Sequence, residues 1–317
     1  MAVSTKAINA RIKSVKNTKK ITKAMEMVSA AKMRRAVDAA LSTRMYASLC
    51  LEILSHLARV DEPNFPLLEK RPVKNMLLIA ISSNRGLCGS FNANVIKRCG
   101  VLLQDKQNLS KHRITNDFEI EPESDVKIDV LGIGKKSALI AKRNGLDLVA
   151  VFDKLSEKPT YEDVLPISNM VVDLFLKKKY EKIAVVYTHF GSTLVQTVKI
   201  RQLLPISEHD LEKTLQQLPK EMDESYKDPF PIENYLFEPD LETILNTIIP
   251  RLVEVQLFET ILESAASEHS ARMVAMKNAS EAASDMIGSL TLTFNKARQA
   301  AITQEISEIA GGAAALE

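Results

Sequence analysis

The sequence predicts an α/β protein with long helices, in which an antiparallel coiled coil of the N- and C-terminal helices accompanies a central α/β domain. Residues 2–62 contain neither glycine nor proline, and the chain from Arg251 to Ala310 contains only one helix breaker, Gly288. Between these ends, apolar strand-like runs alternate with segments of helical period. Breaker-poor periodic segments are typical of long helices, and the alternation is typical of α/β layers.

The N-terminal segment, residues 1–60, predicts one coiled-coil helix over about residues 3–59, ended by the sequence Asp61-Glu62-Pro63. Its apolar residues recur at helical spacing, which indicates one buried helix face. Lys, Arg, Ser and Thr fill many of the positions between them. The apolar stripe consists of Ile8, Ile12, Val15, Ile21, Met25, Val28, Met33, Ala36, Ala40, Tyr46, Leu49, Ile53 and Leu57.

The C-terminal segment, residues 241–317, predicts a second coiled-coil helix that starts near Asp240. Pro250 should kink or restart this helix, because proline cannot donate the helical hydrogen bond. At a rise of about 1.5 Å per residue, the part after Pro250 would run about 90 Å and needs a partner along its length. Its apolar stripe consists of Ile287, Leu290, Phe294, Ala297, Ala301, Ile302, Ile306 and Ile309.

Charge and side-chain size favour pairing of these two helices. Residues 1–40 carry ten Lys or Arg against two acidic residues, whereas the chain from Arg251 onward carries five basic and nine acidic residues. Alanines are dense on both helices, so their axes can approach closely. The heptads are imperfect, which predicts a left-handed but irregular coil. The expected contacts join the early positions Ile12, Val15, Met25 and Val28 to the late positions Ile287, Leu290, Phe294 and Ile302.

Residues 73–205 predict the central domain, which is Rossmann-like in its alternation of strands and helices. Strands are expected at 73–82, 127–133, 148–152, 182–188 and 193–204, with the last two paired, and helices at 92–103, 135–144 and 162–179. The polar stretch 104–125 has no period and predicts a surface insertion. Residues 206–240 contain four prolines and predict an extended linker.

Composition excludes several protein classes. Three scattered cysteines are too few for a disulfide framework, so a reducing compartment is expected. The longest apolar run, residues 76–81, is too short to cross a bilayer, and the N-terminus lacks the apolar core of a secretory signal. The basic N-terminal helix indicates an acidic partner. Because the chain has no Trp and its basic stretch has no aromatic residue before Tyr46, stacking on single-stranded nucleic acid is disfavoured.

The motifs leave three functional hypotheses open. The loop 85–90 lies between a predicted strand and a predicted helix, but its spacing and its missing Gly-Lys-Ser/Thr ending favour a tight turn or protein-contact loop over a phosphate loop. Cys88 is interpreted as a small inert side chain rather than a reactive thiol. The five histidines show no metal-ligand spacing, so no metal, cofactor or catalytic residue is predicted. The first is the function implied by the family resemblance described next. The others are a freestanding coiled-coil adaptor that binds an acidic partner or nucleic acid, and a nucleotide-dependent enzyme.

Four motifs in order resemble the gamma subunit of F-type ATP synthases. They are KKITKAMEMV at 19–28, SSNRGLCGSFN at 82–92, SEHSARMVAMK at 267–277 and ITQEISEIAGGAAA at 302–315. The resemblance spans nearly the whole chain and implies a rotor without an active site, which couples proton flow through a membrane ring to ATP synthesis or hydrolysis. The chain departs from shorter bacterial members in the stretch 104–125. It also lacks the cysteine pair of plastid members, which leaves thiol regulation an open question.

The resemblance also implies partners and contact residues. The partners are the alpha, beta, epsilon and delta subunits and the membrane c-ring, with one copy of the chain per complex and no nucleic acid. The expected location is the cytoplasmic side of the bacterial inner membrane, where the protein would be peripheral. The implied partner-contact residues are Lys23, Met25, Arg85, Cys88, Arg298, Gln299 and Thr303.

Overall fold

The structure, a computed structural model, describes residues 5–57, 65–113, 119–206 and 241–314. The helices within these ranges are α1 (Thr5–Leu57), α2 (Phe91–Gln104), α3 (Lys106–Ser110), α4 (Ala138–Asn144), α5 (Tyr161–Leu176) and α6 (Leu241–Ala314). The strands are β1 (Asn75–Ile81), β2 (His112–Arg113), β3 (Glu119–Ile120), β4 (Lys127–Ile133), β5 (Asp147–Phe152), β6 (Lys182–Phe190) and β7 (Gln196–Leu204).

The chain divides into two compact units. Unit 1 comprises Met1–Ala31 and Arg272–Glu317, and unit 2 comprises Lys32–Ala271. Both α1 and α6 continue from one unit into the other. The predicted start of the C-terminal helix near Asp240 lies at the limit of the described residues, which resume at Leu241 within α6. The predicted linker lies outside the described residues from residue 207 onward, as do the expected end of the N-terminal helix after Leu57 and the side chains of Tyr46, Leu49, Ile53 and Leu57.

Unit 2 contains a five-stranded sheet in the order β5-β4-β1-β6-β7. β1 is parallel to both β4 and β6, β4 is parallel to β5, and β7 is antiparallel to β6. The predicted strands and the pairing of the last two are therefore confirmed. β7 begins at Gln196, later than predicted, because the amides of Gly191 and Ser192 donate to the carbonyl of Val195 and form the turn before it.

Helices cover both faces of this sheet. Leu77, Ile79 and Ile81 point toward the side of α5 and α6, and Met76 and Leu78 point toward the side of α2 and α4. These residues are at most 3% exposed, which explains why the run in β1 is continuously apolar rather than alternating. The mixed α/β architecture with a mainly parallel sheet agrees with the α/β part of the predicted fold class.

The polar stretch 104–125 is more structured than predicted. Asp105 caps α3 by accepting the amide of Asn108 at 3.0 Å, and β2 pairs with β3. Lys182 of β6 donates its ammonium to the carbonyls of Leu109 and Lys111 at 3.0 and 2.6 Å, which ties the insertion to the sheet. The prediction of an aperiodic surface insertion was therefore wrong in part, because long-range contacts order elements too short to produce a periodic pattern. Residues 114–118 lie outside the described residues.

The insertion contributes a buried histidine that should make unfolding sensitive to acid. His112 is 1% exposed, and burial, aided by the nearby Lys182 charge, lowers its pKa to about 4. Its native pKa thus lies below the unfolded value, so the unfolded chain binds more protons at mildly acidic pH and stability falls as pH drops. From about pH 8 to about pH 5 this group alone should cost about 2 kcal/mol. When the free energy of unfolding is measured with denaturant at several pH values, His112→Gln should lose that part of the pH dependence. A pH dependence equal to that of the native chain would contradict the prediction.

In unit 1 the buried and half-buried positions form a row along each helix, which we call the seam. The apolar stripe predicts this seam only in part. On α1, Ile8, Ile12, Thr22 and Ser29 are buried, and Val15 and Met25 are half-buried. Ile21 and Val28 were predicted on the buried stripe but are 61% and 53% exposed. The reason is that the small polar residues next to them, Thr22 and Ser29, take the buried positions.

On α6 the seam ends before the predicted stripe does. Burial decreases along the helix, through the buried residues Met276, Ser280 and Ala283 and the half-buried residues Ile287, Leu290, Phe294 and Ala297. The three isoleucines Ile302, Ile306 and Ile309 are 48%, 61% and 73% exposed, and Ala301 is also exposed. The prediction that Ile302 packs in the seam was therefore wrong for the isolated chain.

Candidate partner-contact sites

The C-terminal part of α6 presents an exposed polar face. Arg298, Gln299 and Thr303 are all exposed, as the resemblance implied. The Thr303 hydroxyl donates to the Gln299 carbonyl at 3.0 Å, one helical turn away, so these residues lie on the same side of the helix. Such a surface offers a guanidinium and an amide to a partner, and its neighbouring isoleucines offer apolar area.

The other residues predicted in unit 1 lie on α1. The Lys23 ammonium donates to both carboxylate oxygens of Glu26 at 3.0 Å, and its side chain is 58% exposed. Met25 is half-buried. Lys23 is therefore accessible while engaged in an exchangeable surface ion pair, which is worth less than about 1 kcal/mol.

The loop after β1 is closed by its own hydrogen bonds. Asn92 joins its two ends by accepting the Ser83 amide at 3.1 Å and donating to the Ser83 hydroxyl at 2.7 Å and to the Cys88 sulfur at 3.2 Å. The Ser83 hydroxyl donates to the Arg85 carbonyl at 2.6 Å. Cys88 is 3% exposed, whereas the Arg85 side chain is 78% exposed. Arg85 is thus presented outward, while Cys88 supports the loop from inside.

Glu157 links this loop to α1 within unit 2. Its carboxylate forms one ion pair with the Arg85 guanidinium, at 2.9 Å, and another with the Lys32 ammonium. The hydrogen bond from the Lys32 ammonium lowers the pKa of the Glu157 carboxyl, with a smaller contribution from the Arg85 charge. Sequence reasoning identified Arg85 but missed Glu157, because the two residues are far apart in the chain.

The burial of Cys88 predicts slow thiol chemistry in the folded chain. In a Cys50→Ser background, Cys88 and Cys99 should react with an aromatic disulfide reagent much more slowly than a cysteine placed at Leu87, which is 62% exposed. Burial also raises the pKa of Cys99 to about 12, so little of its thiol is ionised near neutral pH. A Leu87→Cys rate at least about 100-fold above the background is expected. Similar rates for the two proteins would show that the loop opens readily.

The chain's own helix α6 contacts the end of β6, beside the position where open α/β sheets usually bind ligands. That position is the carboxyl end of the strands where the order reverses, here between β1 and β6. At the end of β6, the Thr188 amide donates to the Ser264 hydroxyl and the Ser267 hydroxyl donates to the Thr188 carbonyl, each at 3.1 Å.

Two other kinds of site are absent from residues 5–57, 65–113, 119–206 and 241–314. Among these residues no group of three or more His, Cys, Asp or Glu side chains is placed to hold a metal ion. In the same ranges, no helix is both long and apolar enough to cross a membrane.

Comparison with known proteins identifies the family. The ATP synthase family model matches residues 4–316. The chain is 41% identical to the ATP synthase gamma chain of Chloroflexus aurantiacus over 317 aligned residues, and 43% identical to that of Roseiflexus castenholzii over 316. The first alignment covers 99% of both proteins, and the second covers 99% of this chain and 98% of its relative.

A solved structure has the same fold. The rotor of Euglena gracilis mitochondrial ATP synthase, in rotational state 1, aligns with a TM-score of 0.58 at 18% identity, covering 94% of this chain and 98% of that one. At this identity the likeness bears on the fold alone, whereas the full-length sequence matches decide the family. The chain belongs to the ATP synthase gamma chain family.

Proposed function

We propose that this protein is the central rotor-stalk subunit of an F-type ATP synthase. It would couple proton flow through the membrane ring to ATP synthesis or hydrolysis in the alpha and beta subunits, and would itself be non-catalytic. The observation that carries this proposal is family membership along almost the whole chain, residues 4–316. The exposed polar face at the C-terminal part of α6 is consistent with it.

The proposal includes an antiparallel coiled coil of α1 and α6 in unit 1. The hydroxyls of Thr22 and Ser280 lie 2.7 Å apart, and both residues are buried. On α6 the buried and half-buried positions from Met276 to Ala297 alternate spacings of four and three residues. That heptad spacing is typical of a left-handed coil.

The limit of burial supports the antiparallel register. Counting equal numbers of residues from Thr22 back to Thr5 and from Ser280 forward leads to Ala297. Ala297 is half-buried, and every residue from Arg298 to Gly312 is exposed. In an antiparallel register, burial on α6 thus ends opposite Thr5, the first described residue of α1.

The exposed apolar stripe and its polar neighbours would then be covered by other subunits. We infer that Lys23, Met25, Arg298, Gln299 and Thr303 contact the catalytic head. Arg85 would contact a partner directly, with Cys88 holding its loop. Partners would be alpha, beta, epsilon and delta subunits and the c-ring, around one copy of this chain. The Chloroflexus and Roseiflexus relatives are bacterial, which supports a peripheral location on the cytoplasmic side of the inner membrane.

The proposed segments are the coiled-coil helices 1–60 and 241–317, the α/β domain 73–205 and the linker 206–240. Limited proteolysis of the purified chain tests this division. Cleavage confined to residues 206–240 and the chain ends would support it, and early cleavage within 73–205 would oppose it.

The central experiment is purification of the tagged chain from its own cells, followed by mass spectrometry. A rotor subunit should co-purify with the alpha and beta subunits in an assembly with ATPase activity. Tight binding of ATP by the chain alone would favour the enzyme hypothesis instead. Binding to polyanions with a steep dependence on salt, without alpha and beta chains, would favour the adaptor.

Charge at Lys23 should matter more than its hydrogen-bonding capacity. Lys23→Glu would place a carboxylate beside Glu26 and reverse the charge offered to the head, whereas Lys23→Gln only neutralises it. Within the helix, like charges at this spacing cost about 0.5 kcal/mol, so both chains should fold. In membrane vesicles, Lys23→Glu should lower ATP-driven proton pumping more than Lys23→Gln. Equal pumping by the two variants would remove the proposed electrostatic role.

A further inference from the structure

We propose that a row of buried polar side chains on α6, comprising Glu259, Glu263, Ser264, Ser267 and Ser270, is the joint that prevents this helix from turning within unit 2. We name it the polar row. This inference rests on the proposed rotor function, because only a rotating subunit needs its long helix fixed to its α/β domain. The polar row would be the place where torque passes between the sheet and α6.

The polar row lies in a part of α6 that is enclosed by unit 2. From Leu252 to Ser270 most residues are buried, and the half-buried ones, Glu254, Phe258, Ala265 and Glu268, recur along one side of the helix. The five residues of the row are each at most 4% exposed. Apolar side chains would stabilise an enclosed helix at lower cost, because a polar or charged group loses free energy on burial unless it is paired. The pairing of this row therefore points to a role beyond burial.

Ser264 and Ser267 bond the backbone of β6 at a position where no neighbouring strand pairs with it on the β1 side. β1 pairs with β6 only as far as Val186, so Thr188 lies beyond the last residue that β1 reaches. The Ser264 hydroxyl accepts the Thr188 amide and the Ser267 hydroxyl donates to the Thr188 carbonyl, each at 3.1 Å. α6 is thus tied to the backbone of the sheet, which moves less than a side chain.

The glutamates of the row are tied to β6 and to its antiparallel neighbour β7. Glu259 accepts the guanidinium of Arg201, on β7, at 2.8 Å. Arg201 also donates to the Tyr187 hydroxyl at 3.2 Å, and its charge lies over the Tyr187 ring at 5.3 Å. Glu263 pairs with His189 Nδ1, on β6, at 2.6 Å.

Ser270 ties the helix to the turn between these strands. Its hydroxyl donates to the Thr193 carbonyl at 2.8 Å and accepts from the side-chain amide of Gln196 at 3.2 Å. The polar row therefore holds α6 at β6, at β7 and at the turn that joins them.

Direction distinguishes these contacts from the apolar packing around them. The hydrophobic effect is non-directional, so an apolar face can slide with little immediate loss. Hydrogen bonds weaken steeply when their angle changes. Glu259, Glu263, Ser267 and Ser270 follow one another at spacings of four, four and three residues, on one side of the helix. A turn of one residue, about 100°, would break all of these bonds together.

The test uses one double variant, which combines Ser264→Ala and Ser267→Ala, in the assembled complex in membrane vesicles. ATP hydrolysis and proton pumping are measured on the same vesicles. We expect the ratio of pumping to hydrolysis to fall by a factor of about two or more, because two buried backbone groups lose partners and the helix can slip. The matched control is Ser284→Ala with Ser289→Ala, since these hydroxyls bond carbonyls of their own helix; its ratio should not change.

A covalent tie provides the rescue. In a background with Cys50, Cys88 and Cys99 replaced by serine or alanine, His189→Cys with Glu263→Cys removes one contact of the row and places two thiols across the joint. Joining them with a short bifunctional thiol reagent should restore the ratio, since a joint that does not turn in normal work tolerates a bond across it. Loss of pumping on cross-linking would overturn the proposal.

The remaining outcomes separate the two levels of inference. If the native chain supports pumping and the double serine variant keeps the native ratio, the joint is refuted and the rotor function stands. An equal fall of hydrolysis and pumping in the double serine variant would indicate a structural role only. The same conclusion would follow if that variant no longer assembled and cross-linking did not restore the ratio in the cysteine-pair variant. If the native chain does not assemble with alpha and beta subunits, the rotor function itself fails.

Discussion

Replacing Gly134 by alanine is expected to lower the free energy of unfolding by about 3 kcal/mol or more, from strain and steric overlap together. Gly134 has φ 86° and ψ 149°, a region that is essentially restricted to glycine. A Cβ there would lie 2.1 Å from the Ser82 carbonyl oxygen and 2.8 Å from its carbon, and backbone atoms of a buried strand end cannot move aside cheaply.

The cost should be large because Gly134 lies where three strands end. Its amide donates to the Phe152 carbonyl at 2.9 Å, at the end of β5, and its carbonyl accepts the Ser82 hydroxyl at 3.2 Å, at the end of β1. Shifting Gly134 to relieve the overlap would therefore disturb β1, β4 and β5 together. Chemical denaturation of the purified chain, monitored by circular dichroism, measures the loss.

Gly145→Ala provides the matched control for Gly134→Ala. Gly145 also has a positive φ, 64°, at the end of α4, but a Cβ there would meet no atom within 4 Å. Only the backbone strain remains, which should cost about 1 kcal/mol. Equal losses for the two variants would mean that the close approach of Ser82 is relieved without cost.

The sequence predicted the elements of unit 2 well because their signals are local. β1 is a continuous apolar run, as expected of a strand buried on both faces, and Gly145 ends α4 in the left-handed conformation that favours glycine. Gly134 was not recognised, because the approach of Ser82 depends on the pairing of β1 with β4 rather than on neighbouring residues.

The helix seam was predicted less well for a physical reason. Reading the stripe by hydrophobicity selected Ile21 and Val28, whereas burial selected Thr22 and Ser29. Thr22 satisfies its hydroxyl with the Lys19 carbonyl at 3.0 Å and with Ser280, so its burial costs little. Small polar residues that bond within or across helices carry no hydrophobic signal, and the sequence alone does not mark them as buried.

The functional residues also divide into those whose environment could be predicted from the sequence and those whose environment could not. Exposure of Arg298, Gln299 and Thr303 could be anticipated, since charged and polar residues on a helix are mostly exposed. The polar row of α6 could not, because each of its bonds joins residues more than fifty positions apart along the chain. Its serines and glutamates look like ordinary solvated helix residues until the fold brings β6 and β7 against them.

Removing the polar groups at the C-terminal part of α6 should impair catalysis without unfolding the chain. We expect Arg298→Ala with Gln299→Ala to lower ATP hydrolysis by the assembled complex about tenfold, since a hydrogen bond to a charged group is worth about 1.5–3 kcal/mol. Both residues are exposed, and alanine favours a helix, so the stability of the isolated chain should change by less than about 0.5 kcal/mol.

The expected loss follows from what a guanidinium can do on a turning surface. Arginine holds a carboxylate through two directed bonds, and these can break and re-form as the face passes one partner after another. Thr291→Ala with Thr293→Ala is the matched control, because both threonines are exposed and bond carbonyls of their own helix, at 2.7 and 2.9 Å. Hydrolysis and pumping are compared in vesicles for both double variants. Native rates in the Arg298 and Gln299 variant would leave this face with a structural role only, and the force between shaft and head would then have to act through the exposed isoleucines beside it.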